Sequence, residues 1–158
     1  MSNTFKADLE FGHKYEDIYI AKLNKPAEEI DRPSGKFSGY DFRVGEEKYE
    51  VKADRQTHRT GNFCIETHCS GRASGITTTQ ASRYIYFVVY PDDEYDIYDI
   101  PTRDIVQMLI DKKFSRSMMG GNGFKSLFYL FDKNLFTEYK IHERTPVVGC
   151  ETPTLLSV

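Results

Sequence analysis

No apolar run in this chain approaches the roughly 18 residues that a membrane span requires, and no signal-peptide pattern opens it. No membrane association is therefore expected. Cysteine is scarce: Cys64, Cys69 and Cys150 form an odd set with no disulfide framework, which predicts a reducing, cytoplasmic setting. The chain also has no Cys-x-x-Cys or His-x-x-x-His pair. Cys64 and His68, four apart on a strand, would lie about 13 Å from each other, too far for one tetrahedral zinc. Cys64 reads instead as a small core residue. Gly120-Gly121-Asn122-Gly123, followed by Lys125, lacks the Gly-Lys-Ser/Thr ending of a phosphate-cradling loop and reads as a flexible turn. There is no internal repeat and no linker.

At 158 residues, with 39% hydrophobic and 28% charged residues, the chain fits one domain (1–158) with a buried core. The core is expected over about 4–131, with a tail over about 140–158 that carries no periodic signal. The net charge of −3 argues mildly against a general nucleic-acid binder. The charge is unevenly spread, however. Asp8, Glu10, Glu16, Asp17, Glu28, Glu29 and Asp31 make the start acidic. From Lys52 to Arg83 the balance reverses, with Arg55, Arg59 and Arg72 against Asp54 and Glu66. Lys112, Lys113, Arg116 and Lys125 form a second basic stretch without an acid.

Leu9, Gly12/His13, Glu16, Ile20 and Leu23 recur at helical spacing, and Pro26 ends that segment. A loop over 24–38 leads to a hairpin over 40–52. Residues 53–61 are expected to be a mobile loop and 62–68 a third strand. A turn-rich stretch over 70–75 precedes a short helix over 77–82, capped by threonine. The aromatic and β-branched run 83–90 predicts a central strand. It is followed by a strand over 95–100, a helix from Pro101 to about Lys113, a flexible loop over 117–125, a strand over 126–131 and a short helix over 132–139. The fold class is α/β, a mixed β-sheet flanked by helices.

The hairpin carries the chemistry. Strand side chains alternate, so Glu50 and Lys52 share a face while Val51 points the other way, and a turn near Gly45 returns Asp41 beside them. Magnesium takes hard oxygen ligands and keeps several waters. Asp41 and Glu50 could supply two such oxygens and the Val51 carbonyl a third. Lys52 would add a positive charge where phosphate becomes more negative. The plain alternative is a solvated strand face carrying one surface ion pair.

Asp41 followed by Glu50-Val51-Lys52 resembles the core of the PD-(D/E)XK nuclease superfamily. Gly12-His13-Lys14-Tyr15-Glu16 is similar to the Gly-x-x-x-Glu of archaeal Holliday-junction resolvases, whose helical glutamate joins the metal site. Residues 49–87 resemble small phage or viral nucleases of the superfamily. Their lysine strand is followed by an Asn-Phe-x-Ile-Glu strand, a Gly-x-x-Ser-Gly-Ile connection and a threonine-rich helix. The chain departs from the pattern at Tyr40, where a proline usually precedes the aspartate.

The resemblance covers roughly 10–90. It implies a restriction-endonuclease-like core and a Mg2+-dependent (or Mn2+-dependent) endonuclease that leaves 5′-phosphates on DNA. Asp41, Glu50 and Glu16, with the Val51 carbonyl, would hold metal, and Lys52 would assist catalysis. Glu10 competes with Glu16 as the helical acid. Glu66, on a strand expected to pair with the lysine strand, and Gln80, on the short helix, would act around the substrate. Arg55, Arg59, Arg72 and Lys125 would grip phosphates. Branched DNA would call for a homodimer, because two strands need two sites. Restriction-like cutting of duplex and DNA binding without catalysis are the competing readings.

Overall fold

The computed structural model describes residues 3–34 and 39–145, with side chains from residue 7 onward. Helix α1 (Asn3–Leu23) precedes a short strand β1 (Ile30–Asp31) and the hairpin β2 (Phe42–Val44) and β3 (Glu47–Asp54). Gly45 takes φ +60° in the tight turn between them, the left-handed region that glycine adopts without a Cβ penalty. A helical turn α2 (Thr57–Thr60), β4 (Asn62–Cys69), a two-residue β5 (Arg72–Ala73), β6 (Arg83–Val89) and β7 (Tyr95–Pro101) follow. Then come α3 (Thr102–Ile110), β8 (Arg116–Gly120), β9 (Ser126–Asp132), a 3₁₀ segment (Lys133–Tyr139) and β10 (Lys140–His142).

The strands form two sheets. A six-stranded sheet runs β1-β2-β3-β6-β7-β10, and a four-stranded sheet runs β5-β4-β9-β8. β3 pairs in parallel with β6, Glu50 opposite Tyr84 and Lys52 opposite Tyr86. Every other pairing is antiparallel. β6 is buried along nearly its whole length, as its continuous apolar sequence requires between two packed layers.

One layer is α1. Its inward residues are Tyr15 and Tyr19 with Phe11 and Ile18, which pack on Phe42, Val51, Ile85, Phe87 and Val89. Ile20 and Leu23 of the expected stripe pack there too, but Leu9 is 50% exposed. Aromatic rings at i and i+4 supply more apolar area than the aliphatic positions beside them. The second layer is the smaller sheet. Phe63 is sandwiched between Tyr86, at 4.1 Å, and Phe136, at 4.6 Å, with nearly parallel rings.

β4 does not pair with the lysine strand: β2 and β6 occupy both edges of β3, and β4 buries alternate residues Phe63, Ile65 and Thr67 in the second sheet. Residues 77–82 are not a helix. Only Gly75–Thr77 forms a 3₁₀ turn, because Thr77 Oγ1 donates to the carbonyls of Thr67 and Ser74 rather than capping a helix. The loop over 53–61 is instead the end of β3 and α2, nucleated by Asp54 Oδ1, which accepts from the Gln56 and Thr57 amides. The stretch expected as a loop over 117–125 contains most of β8, laddered onto β9. Lys140–His142 adds an edge strand instead of starting a tail; residues 146–158, with Cys150, lie outside the described residues.

Candidate active site

The hairpin brings Asp41, Glu50 and Lys52 together. The Asp41 amide donates to the Tyr49 carbonyl at 2.8 Å, extending the β2–β3 ladder by one residue. The Val51 amide then donates to Asp41 Oδ2 at 2.7 Å, fixing the carboxylate across the turn. Glu50 and Lys52 leave the same face of β3, and Lys52 Nζ lies 3.0 Å from Glu50 Oε1. The Val51 side chain points into the α1 layer.

The electrostatics of these groups are linked. Burial pushes the Asp41 carboxyl upward, against the Val51 N–H and the Lys52 charge. Burial also raises Glu50; Lys52 opposes this while Asp41 and Glu16 add to it. Glu16 is raised by burial and by Asp41. Three carboxylates therefore sense one another in a partly desolvated space. For Lys52, burial favours the neutral amine, but the Glu50 and Asp41 carboxylates beside it oppose this and the ammonium stays charged. The Lys52 side chain is 44% exposed, so solvent screens the longer-range part of that attraction and the Glu50 contact dominates. Tyr84, fully buried opposite Glu50 in β6, is raised by burial and stays a neutral phenol.

Glu16 lies near Asp41, but both of its oxygens already have neighbours. Arg32 Nη2 donates to Oε1 at 3.0 Å and His13 Nδ1 is 3.4 Å from Oε2. Arg32 also binds Asp17 at 2.8 Å. Nothing in the loop sequence around Arg32 marks this role. Glu10 is exposed. Among the described residues, no three His, Cys, Asp or Glu side chains form a ready-made ligand cage. The donor set still fits magnesium, which uses one or two carboxylates and retains waters: Asp41 and Glu50 are two oxygen donors whose charges are costly without a cation.

Glu66 reaches the same cleft from the other sheet. It lines a cavity of about 270 Å³ with Lys52, Asp54, Tyr84, Tyr86 and Phe128. Ser74 Oγ donates to Glu66 Oε2 at 3.0 Å. Gly75 makes that approach possible: its φ is +56°, and a Cβ there would stand 2.3 Å from the Glu66 carbonyl oxygen. Cys64 lines the cavity rather than the core, its thiol pushed up to about 11 by burial. Tyr86 ties the two walls together, donating to Asp54 Oδ2 while its oxygen accepts from the Cys64 amide. The pairing of β3 with β6 that places Tyr84 and Tyr86 has no local sequence signal.

The remaining expected residues lie around this centre. Gln80 is exposed and contributes through its amide, which donates to Gly39 just before the hairpin. Arg55 stacks over Phe11 at 3.7 Å and lines a separate cavity with His58, Tyr90 and Asp93. Arg59 bonds Gln56 on α2; Arg72 and Lys125 are exposed on the smaller sheet and its turn. Among the described residues, no helix is long and apolar enough to cross a membrane. No family model matches the chain, and neither a curated protein nor a solved structure matches it significantly.

Proposed function

We propose that the chain is a divalent-metal-dependent DNA endonuclease of the PD-(D/E)XK type, with a restriction-endonuclease-like core, that leaves 5′-phosphate ends. The observation that carries this reading is the convergence of two half-buried carboxylates and an ammonium on one strand face. Asp41 is clamped by the Val51 amide and Glu50 is paired with Lys52. Asp41 and Glu50 would hold Mg2+ or Mn2+, with the Val51 carbonyl as a further donor and Glu16 closing the acidic side once Arg32 yields. Such an ion polarises a phosphodiester and acidifies a bound water. Lys52 places a fixed positive charge where the phosphate oxygens gain negative charge. The exposed Arg55, Arg59, Arg72 and Lys125 provide backbone contacts that orient DNA without reading sequence. On branched DNA a homodimer would supply the second active site.

A nicking assay on plasmid and on branched DNA, with Mg2+ and with EDTA, tests this. Cutting is expected only with metal. Lys52→Ala and Glu50→Ala are each expected to slow it by at least about a hundredfold while the far-ultraviolet dichroism is unchanged. Cutting that survives both substitutions would overturn the assignment. A second reading, a DNA-binding protein without catalysis, draws on the ion pairs that already engage Glu16 and Glu50. It predicts retained DNA binding and no metal-dependent cleavage of any form.

A further inference from the structure

Lys52 belongs to two sites at once: the acidic cluster on the hairpin, and the cavity of about 270 Å³ between the sheets. The far wall of that cavity belongs to the smaller sheet, and its register is informative. Glu66 on β4 stands opposite Phe128 on β9, and Phe128 opposite Met118 on β8, so the three form one cross-strand row on one sheet face. The next row is Cys64, Leu130 and Arg116. Met118 is 38% exposed, which continues the apolar surface from the cavity toward the sheet edge.

Gly120 makes room for the aromatic member. A Cβ on Gly120 would stand 3.3 Å from Phe128 Cε2, closer than most side chains tolerate. The ring therefore lies against bare backbone on one side and lines the cavity on the other. A β-bulge falls between Glu66 and His68, where the register with β9 shifts. Bulges of this kind re-aim side chains beside sites, and here the bulge follows directly after Glu66.

The charge of the lining selects its occupant. Asp54 and Glu66 outnumber Lys52, whose ammonium already pairs with Glu50, so a phosphate is disfavoured inside. The aromatic wall favours a flat ring, and Glu66 offers an acceptor to ring N–H groups. The volume lies below the roughly 300–1,000 Å³ of pockets for drug-sized ligands, enough for one ring system. Resting on the nuclease reading, we propose that this cavity takes one unpaired nucleobase, stacked on Phe128, from the strand whose phosphate meets Lys52. Arg116, in the adjacent row, then meets the backbone as the strand leaves across β8. Extracting a base from an intact duplex costs stacking and pairing, and the cost is least for an unpaired base. The substrate class is therefore DNA with unpaired nucleotides at the cut: single strands, flaps or junction branches.

The test uses the full chain and an end-labelled single-stranded oligonucleotide, its matched duplex, and single-stranded versions with one abasic site moved along the sequence. Binding is followed by fluorescence anisotropy in EDTA, and cutting with Mg2+. One abasic position is expected to weaken binding about ten- to a hundredfold. Phe128→Ala should lose a similar factor on the intact strand and little more on that abasic strand. Phe128→Tyr should restore the loss and Phe128→Leu should not, which separates stacking from general damage to the fold. A uniform effect of Phe128→Ala on all substrates, no abasic position with an effect, or equal preference for duplex would each overturn the base pocket. Because wild-type cutting with Mg2+ is scored separately, the pocket can fail while the nuclease reading stands. If no DNA is cut, the anisotropy series still decides the pocket.

Discussion

Asp41 is held by the strand it serves: its amide donates to the Tyr49 carbonyl and its carboxylate accepts from the Val51 amide. Burial raises the carboxyls of Asp41, Glu50 and Glu16 above their ordinary values of 3.8, 4.5 and 4.5. A raised folded-state pKa means the native chain binds more protons than the unfolded one. The stability these groups contribute is therefore complete below the ordinary carboxylate range and is lost as pH rises through the raised values. In EDTA, stability is expected to fall as pH rises from about 4, and a bound divalent cation should recover it by linkage. Asp41→Asn keeps an acceptor for Val51 and removes one buried charge. Thermal unfolding at neutral pH in EDTA should show a higher Tm for Asp41→Asn, by about 2–4 °C for each kcal/mol relieved, and a smaller rise on adding Mn2+. A variant that unfolds earlier and keeps the full metal-induced rise would show that Asp41 is neither strained nor a ligand.

Elements meet through Tyr86, whose hydroxyl joins Asp54 at the end of β3 to the backbone of β4. The free edge of β4 at Cys64 is thereby satisfied by a side chain of the other sheet, where a further strand would otherwise be needed. Tyr86→Phe removes that oxygen but keeps the ring stacked on Phe63. Leaving the Cys64 amide and one Asp54 oxygen without this partner should cost about 1–3 kcal/mol, read as a lower urea midpoint with an unchanged m-value. A midpoint equal to wild type would mean the two sheets are held by ring packing alone.

The strands are legible because their signals are local, alternation in β4 and β7 and continuous apolar runs in β6 and β9, and β3, β4, β6, β7 and β9 all fall close to the stretches so marked. The segment at 77–82 is not, because threonine hydroxyls can cap a helix or bond nearby carbonyls, and only the position of the Thr67 carbonyl decides which. β8 carries no strand signal because Ser117-Met118-Met119-Gly120 has little alternation of its own and depends on β9 for its ladder.

For the molecule as a whole, the net charge of −3 conceals an asymmetry. The exposed Arg72, Lys112, Lys113, Arg116 and Lys125 belong to the smaller sheet and the turns leading into or out of it. On the proposed reading this side receives the strand. The logarithm of the single-strand binding constant should fall linearly with the logarithm of salt concentration, by about 0.7 for each phosphate contact. Replacing Lys112, Lys113 and Arg116 together by alanine should reduce that slope by about 2. A slope unchanged in the triple variant would place the DNA elsewhere.

The hairpin, and the grouping of Asp41, Glu50 and Lys52 on it, follow from the local sequence. Gly45, the period of two and the short separation from Asp41 to Lys52 leave few ways to arrange those side chains, so local geometry was enough. Tertiary structure alone decided that Tyr84 backs Lys52, that Arg32 holds Glu16, and that Glu66 and Phe128 close the cleft from a different sheet. Alternation says which face a residue takes but not which strand lies beside it. Pairing and sheet stacking between segments distant in sequence supplied that second coordinate.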